Sequence, residues 1–298
     1  MKGIGHLHDG LAKRGGKKAL AQVLALLDLE AIEEDIFRGQ SPEGRVQRVF
    51  GGQVLGQALV AARRTVESSR VCHSLHAYFL RPGDPRVPIL YEVDRSRDGQ
   101  SFSARRVVAI QHGKQIFNLA CSFQNVEEGY VHQFPMPNVP PPEELEDEAE
   151  GRRRNADQLP EGLRQWLTRP RPFETRPVLL DPPGDRPPRA PFDNVWFRAC
   201  GPVPDDLAQP LLAFASDATL LSTSLLPHGK SIFSNLQVAS LDHAMWFHRP
   251  IGFDDWLLYA QDSPSASGAR GFNRGAIFSR DGTLIASVTQ EGLIRPRA

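Results

Sequence analysis

Cysteines at paired spacing are missing from this chain: Cys72, Cys121 and Cys200 are scattered, with no C-x-x-C. An odd, dispersed set excludes a disulfide framework and a structural zinc site, and it points to reduced thiols. A surplus of one charge sign is missing too. Lys plus Arg number 35 and Asp plus Glu number 35 in 298 residues, so no global field draws nucleic acid or an anionic membrane. No run of about 18 apolar residues is present to span a bilayer. The basic opening MKGIGHLHDGLAKRGGKK lacks the apolar stretch and cleavage site of a signal peptide. There is no Walker loop, no G-x-G-x-x-G and no G-x-S-x-G elbow, which argues against nucleotide-driven, hydride and serine-nucleophile chemistry. These absences lead to the expectation of a cytoplasmic protein with no membrane or nucleic-acid partner.

What the chain does have is an internal repeat. Phe79-Leu80-Arg81-Pro82 recurs as Phe247-His248-Arg249-Pro250, and the same frame brings Leu90-Tyr91 onto Leu258-Tyr259, Asp94 onto Asp262 and Arg106 onto Arg274. Each stretch follows a helical segment introduced by Phe50-Gly51-Gly52-Gln53 or by Phe214-Ala215-Ser216-Asp217. One supersecondary unit used twice is the natural reading.

The first unit is expected to hold a short helix over 19–29, after a loose leader through residue 18. A second helix is expected over 50–62, then strands over 72–80, 89–96, 101–111 and 115–125, the last two joined by a hairpin at His112-Gly113. The second unit repeats this plan. A strand is expected over 194–200, a helix over 217–226 that stops at Pro227-His228-Gly229, and strands over 237–249, 256–262, 271–279 and 283–294, with Asp281-Gly282 as the last hairpin turn. Between the units, prolines crowd at 135–142 and 182–191 and an acidic run meets Arg152-Arg153-Arg154, the composition of a solvated connection. The division is therefore 19–134, a connection over 135–190, and 191–298. The fold class is α+β, each unit a central helix against a curved antiparallel sheet.

Three polar residues of the second unit stand out. Leu284, Ala286, Val288 and Gln290 alternate onto one face of the last strand, so an amide closes an apolar series. Asp217 stands at the start of the expected helix, where the helix dipole favours its charge; its counterpart in the first unit is Gln53, so the carboxylate occurs in one copy only. Ser240 lies in the following strand, on the face expected to carry Asp242, Ala244 and Trp246. Taken singly, a strand-end glutamine, a helix-cap aspartate and a strand serine have simpler structural explanations. Taken together, the carboxylate accepts a proton from one water that hydroxyl and amide orient, which suits direct hydrolysis of an activated acyl group. Spacing and periodicity alone leave the reaction open. His243 and His248 have no third zinc ligand at suitable spacing and read as structural.

At these residues the chain resembles the acyl-CoA thioesterase II family, the bacterial relatives of the peroxisomal acyl-CoA thioesterases. The motifs are FRGQ (37–40), VFGGQVLGQAL (49–59), HSLHAYFLRPGD (73–84) and RDGQSFSARRVVAIQ (97–111) in the first half. In the second half they are FASD (214–217), LDHAMWFHRP (241–250), SASGARGFNRG (265–275) and VTQEGLIR (288–295). The resemblance implies a double hotdog fold and hydrolysis of acyl-CoA to free acid and CoA, without metal, cofactor or covalent acyl-enzyme. It implies Asp217, Ser240 and Gln290 as the catalytic set, with serine where threonine is expected. It also implies Arg270 and Arg274 as candidates for the CoA phosphates, and a homo-oligomer assembled through sheet edges. The end Arg-Pro-Arg-Ala is unlike the Ser-Lys-Leu signal of peroxisomal relatives, so a cytoplasmic address is expected. A non-catalytic acyl-CoA sensor would be the alternative if the carboxylate were missing. A hotdog hydratase would want an aspartate–histidine pair on one face, which the adjacent Asp242 and His243 do not supply.

Overall fold

Alternation of apolar and polar residues organises most of the chain, as it does at Ile89, Tyr91 and Val93, buried between exposed neighbours. The computed structural model describes residues 4–42, 47–154, 156 and 161–297, with side chains from Arg14 onward. Residues 1–3 of the leader and Ala298 of the terminal motif lie outside the described residues.

The first half runs α1 (Ile4–Leu27), β1 (Glu30–Glu33), β2 (Ile36–Gly39), α2 (Gly51–Arg63), β3 (Arg70–Phe79), β4 (Ile89–Asp98), β5 (Phe102–Gln111) and β6 (Lys114–Asn125). The leader is thus not loose from residue 4 on: it is the first part of α1, whose later turns bury Leu20, Val23 and Leu27. The connection carries α3 (Glu148–Arg154), α4 (Glu161–Thr168) and β7 (Phe173–Pro177). The second half runs β8 (Phe192–Ala199), α5 (Asp205–Ser216), a 3₁₀ helix over Leu220–His228, β9 (Leu236–Ser240), β10 (Asp242–Phe247), β11 (Leu257–Ser267), β12 (Arg270–Ser279) and β13 (Leu284–Pro296).

The repeat is visible in the sheet. Its order is β1-β2-β4-β5-β6-β3-β10-β13-β12-β11-β8-β7, with β9 also paired to β13. Reading outward from the centre, β3-β6-β5-β4-β2 is mirrored by β10-β13-β12-β11-β8. The two repeated Phe-x-Arg-Pro strands are the antiparallel central pair, with Leu75 opposite Met245. One apolar core runs through both halves.

Two expectations about the second unit are corrected. The helix expected over 217–226 is a 3₁₀ helix from Leu220, and the longer α-helix lies before it, ending at Ser216, so Asp217 follows a helix C-terminus. Pro204 and Pro210 hid α5 in the sequence. Pro204 caps it, and Pro210 lies inside it, where burial of Leu211, Leu212 and Ala213 outweighs the lost backbone bond. The strand expected over 237–249 breaks at Leu241, whose N–H still donates to Glu291 O at 2.9 Å. The break changes the alternation, so Ser240 shares its face with His243 and Met245, and not with Asp242, Ala244 and Trp246.

Candidate active site

Helices α2 and α5 bring the two repeated Phe motifs into contact. Phe50 and Phe214 meet edge to face at 5.1 Å between ring centres. The approach is close enough that a Cβ on Gly52 would lie 2.4 Å from Phe214 O, and one on Gly56 2.9 Å from Pro210 O. A Cβ on Gly51 would lie 2.7 Å from Asp217 Oδ2. Asp217, just past the end of α5, is thus presented to the N-terminus of α2 from the other half of the chain. It accepts a hydrogen bond from the Gly52 N–H. The expectation that Asp217 opens the helix of its own unit is overturned, since it follows the C-terminus of α5; the positive helix end it meets is that of α2, from the other unit.

The three residues singled out in the sequence converge here. Ser240 Oγ donates to Asp217 Oδ1 at 3.2 Å. Gln290 Nε2 donates to the same Oδ1 at 2.5 Å and to Ser240 Oγ at 3.0 Å. Gln290 sits on the inner face of β13 beside Val288, as the alternation required, and is fully buried. Ser240 reaches it because β9 pairs with β13, Ser240 opposite Gly292. Burial pushes the Asp217 carboxyl up to about 6, against the lowering pull of Gln290, Ser240, the Gly52 N–H and the charge of Arg48. A carboxylate so placed is a base that changes protonation near neutrality.

Sequence reasoning missed Gly52 and Arg48, both from the first half. Arg48 Nη2 donates to Val238 O at 3.0 Å, tying the entry of α2 to β9. Nothing in residue spacing signals these contacts, which cross from one unit to the other. Phe79 lies against Gly51, and Val49 N–H donates to Gly83 O at 2.9 Å. An open cleft lined by Gln47 and residues 82–86 adjoins this segment.

Arg270 and Arg274 are not brought to this cluster. Both alternate to the face of β12 opposite buried Asn273, and both are exposed and paired: Arg270 with Glu291 at 2.9 Å, Arg274 with Asp262 at 2.7 Å. His243 is buried inside the second unit, its Nε2 2.9 Å from Ser216 Oγ, and burial lowers it to about 3, a neutral ring at any ordinary pH. His248 is exposed, 2.9 Å from Ser287 Oγ. Among the described residues no His, Cys, Asp and Glu side chains gather as a metal site would require.

The mirrored place in the first unit holds different chemistry. The repeat sets Gln53 and Cys72 where the second unit has Asp217 and Ser240, and the strand pairs set Cys121, opposite Arg105, where Gln290 stands opposite Asn273. Cys72 stands opposite Phe123 as Ser240 stands opposite Gly292. Gln53 turns to Gln40 O and Ser41 Oγ at 3.0 and 3.1 Å. Burial pushes the Cys72 thiol up to about 12 and the Cys121 thiol well above its usual value. Protonated thiols and an amide supply no base there.

Comparison with known proteins bears on the family and the fold. A family described as acyl-CoA thioesterase matches residues 168–293, and one described as acyl-CoA thioesterase N-terminal domain matches residues 40–124. The chain is 44% identical to acyl-CoA thioesterase 2 of Haemophilus influenzae, over 93% of this chain and 98% of that protein. It is 42% identical to human acyl-coenzyme A thioesterase 8, over 92% of this chain and 88% of that one. The crystal structure of an acyl-CoA thioesterase II from Mycobacterium marinum superposes with a TM-score of 0.76 at 43% identity, over 93% of this chain and 98% of that one. A protein described as having a hot dog fold, from Alicyclobacillus acidocaldarius, superposes with a TM-score of 0.74 at 20% identity, covering 93% of this chain and 99% of its own, a likeness of fold alone.

Proposed function

The chain belongs to the acyl-CoA thioesterase family, with a double hotdog fold and thioester hydrolase activity, and on that premise we propose that Asp217, Ser240 and Gln290 carry the hydrolysis. The observation that supports this reading is the closed triangle of hydrogen bonds among them, around a carboxylate poised near neutrality.

Ser240 and Gln290 both donate to Oδ1, so they fix the plane of the carboxylate and leave Oδ2 beside the opening of α2. A water on Oδ2 gives its proton to Asp217 as its oxygen attacks the thioester carbonyl. Carbon–oxygen bond formation places charge on the carbonyl oxygen, which the positive end of the α2 dipole stabilises, the Gly52 N–H being engaged by Asp217. Collapse of the adduct breaks the carbon–sulfur bond, and the proton held by Asp217 returns to the departing CoA thiolate. The protein's residues supply the base, its orientation and a positive helix end for the oxyanion, with no cofactor and no acyl-enzyme.

The substrate in this reading is acyl-CoA. Arg48, whose charge is felt at Asp217, and the cleft at 82–86 offer a polar route for the CoA portion. Arg270 and Arg274 stay in the proposal as outer phosphate contacts, each exchanging its carboxylate partner for phosphate. The unpaired cysteines fit a cytoplasmic setting, and a homo-oligomer through sheet edges completes the reading. The 135–190 connection between two hotdog units likewise belongs to it.

The test separates a bound water from a covalent route. Ser240→Ala removes one of two side-chain donors to the carboxylate, and kcat should fall about tenfold, the scale of one lost hydrogen bond. Rapid mixing of wild type with acyl-CoA should show no acyl adduct in the intact mass. An acyl group on Ser240, with Ser240→Ala inactive, would overturn the water mechanism.

A further inference from the structure

The inner face of the second unit carries a row of polar side chains next to the proposed catalytic triangle. Asn273 on β12 stands directly opposite Gln290 on β13. On the other side of Gln290, the register that pairs Ala244 with Thr289 brings His243 of β10 opposite it. All three are essentially inaccessible, at 0%, 0% and 1% exposure. Directly opposed residues on one face have Cβ atoms about 4.5–5.5 Å apart. The mirrored strand pairs set Arg105, Cys121 and Leu75 at these places in the first unit, so the row belongs to the half with the carboxylate.

Each member has one buried polar atom with no hydrogen-bond partner in the protein: Asn273 Oδ1, Gln290 Oε1 and His243 Nδ1. Leaving a buried group unpaired is costly, and three neighbours in that state call for a shared partner. Their other contacts show where the free atoms point. Both hydrogens of Gln290 Nε2 go to Asp217 and Ser240, and because the amide is planar, Oε1 faces away from that pair. Asn273 Nδ2 donates to Gly271 O at 3.2 Å and Gln290 O at 3.4 Å, which turns its Oδ1 away from those carbonyls. His243 Nε2 meets Ser216 Oγ, leaving Nδ1 free. The row is walled off along β12, since Ser224 and Tyr259 occupy the space over Gly271 and Gly275.

We propose that His243, Gln290 and Asn273 hold one internal water, separate from the hydrolytic one, and that Asn273 is thereby a positioning residue for the Gln290 amide. The water donates one hydrogen to Gln290 Oε1 and one to Asn273 Oδ1. It accepts one from His243 Nδ1, in the tautomer whose bare Nε2 takes the Ser216 hydrogen. Ser216 Oγ has Ala213 O and His243 Nε2 both at 2.9 Å, and the water selects the second. Three bonds are the usual complement of a buried water. The bond to Oε1 sets the sense of the amide. The reversed amide would put Oε1, an acceptor, against the Asp217 carboxylate and leave Nε2 facing the water. Asn273 thus touches no reacting atom, yet it keeps the Gln290 donor aimed at Asp217 and Ser240.

The kinetic consequence rests on the function proposed above; the water itself does not. A high-resolution crystal structure of the wild-type chain should show one ordered water at about 2.7–3.2 Å from both Gln290 Oε1 and Asn273 Oδ1. Its absence would overturn the proposal, whatever the reaction. Asn273→Ala and Asn273→Ser open nearly the same space, but only serine keeps a polar partner for water. In thiol-release kinetics the alanine variant should lose about tenfold in kcat with KM little changed, and the serine variant should recover most of it. Equal losses in the two variants, or a loss confined to KM, would show a packing role and contradict the positioning claim. Should Asp217→Asn keep full activity while the water is present, the catalytic assignment fails and the internal site stands.

Discussion

Asp217 has neighbours that pull its ionisation in opposite directions. Burial raises its pKa to about 6, and the donors from Gln290, Ser240 and Gly52 keep it from rising further. In the unfolded chain the same group titrates near 3.8. The folded protein therefore binds the extra proton between these values, and stability is lost as pH rises through that window, so the ionised carboxylate is a cost at pH 7 and above. Removing the charge should stabilise: Asp217→Asn is expected to raise the melting temperature at pH 7.5, by up to about 3 kcal/mol in free energy, with the difference vanishing near pH 4. Thermal denaturation of both proteins at the two pH values checks this. A variant less stable than wild type at pH 7.5 would mean the carboxylate's hydrogen bonds outweigh its burial. At this scale the sequence was informative about identity and silent about partners. Gln290 was marked by the apolar series it ends, and Asp217 by its absence from the other copy. Gly52 and Arg48 were hidden because each acts across the boundary between units.

The site depends on two helix ends meeting, α2 at its N-terminus and α5 at its C-terminus. Their contact is set by Gly52, which lets the Phe214 carbonyl approach, and by the Phe50–Phe214 ring pair. Gly52→Ala would place a methyl 2.4 Å from that carbonyl oxygen, and one helix must then move. Overpacking of this kind costs roughly 1–3 kcal/mol, and the shift passes directly to Asp217, three residues beyond Phe214. Gly52→Ala is expected to lower the urea midpoint and to reduce kcat well beyond what the stability loss explains, since folded protein still predominates; unchanged kcat would show that the helix contact does not set the site. Element by element, periodicity found the long strands because alternation survives in each of them. It missed α5, where two prolines argue against a helix that tertiary burial nonetheless sustains. It also misread the face of Ser240, since the break at Leu241 resets an alternation that spacing treats as continuous.

Across the whole molecule, the repeat explains both the architecture and the single site. Two units with mirrored strand order join at β3 and β10 into one sheet, and each offers the same position under its helix entrance. One position holds Gln53 and two buried protonated thiols; the other holds a carboxylate, a hydroxyl and an amide. That two units exist was legible from Phe79–Pro82 and Phe247–Pro250. That they share one sheet, so that α2 of the first completes the site of the second, was not, because a repeat carries no information on how its copies dock. The whole account turns on Asp217 as the base of this composite site. The most direct test is release of free thiol from a panel of short to long acyl-CoAs by wild type and Asp217→Asn side by side. Hydrolysis by wild type with a drop of at least roughly 10²-fold in the variant, the scale of a lost general base, is the expected result. Undiminished turnover by Asp217→Asn would contradict it.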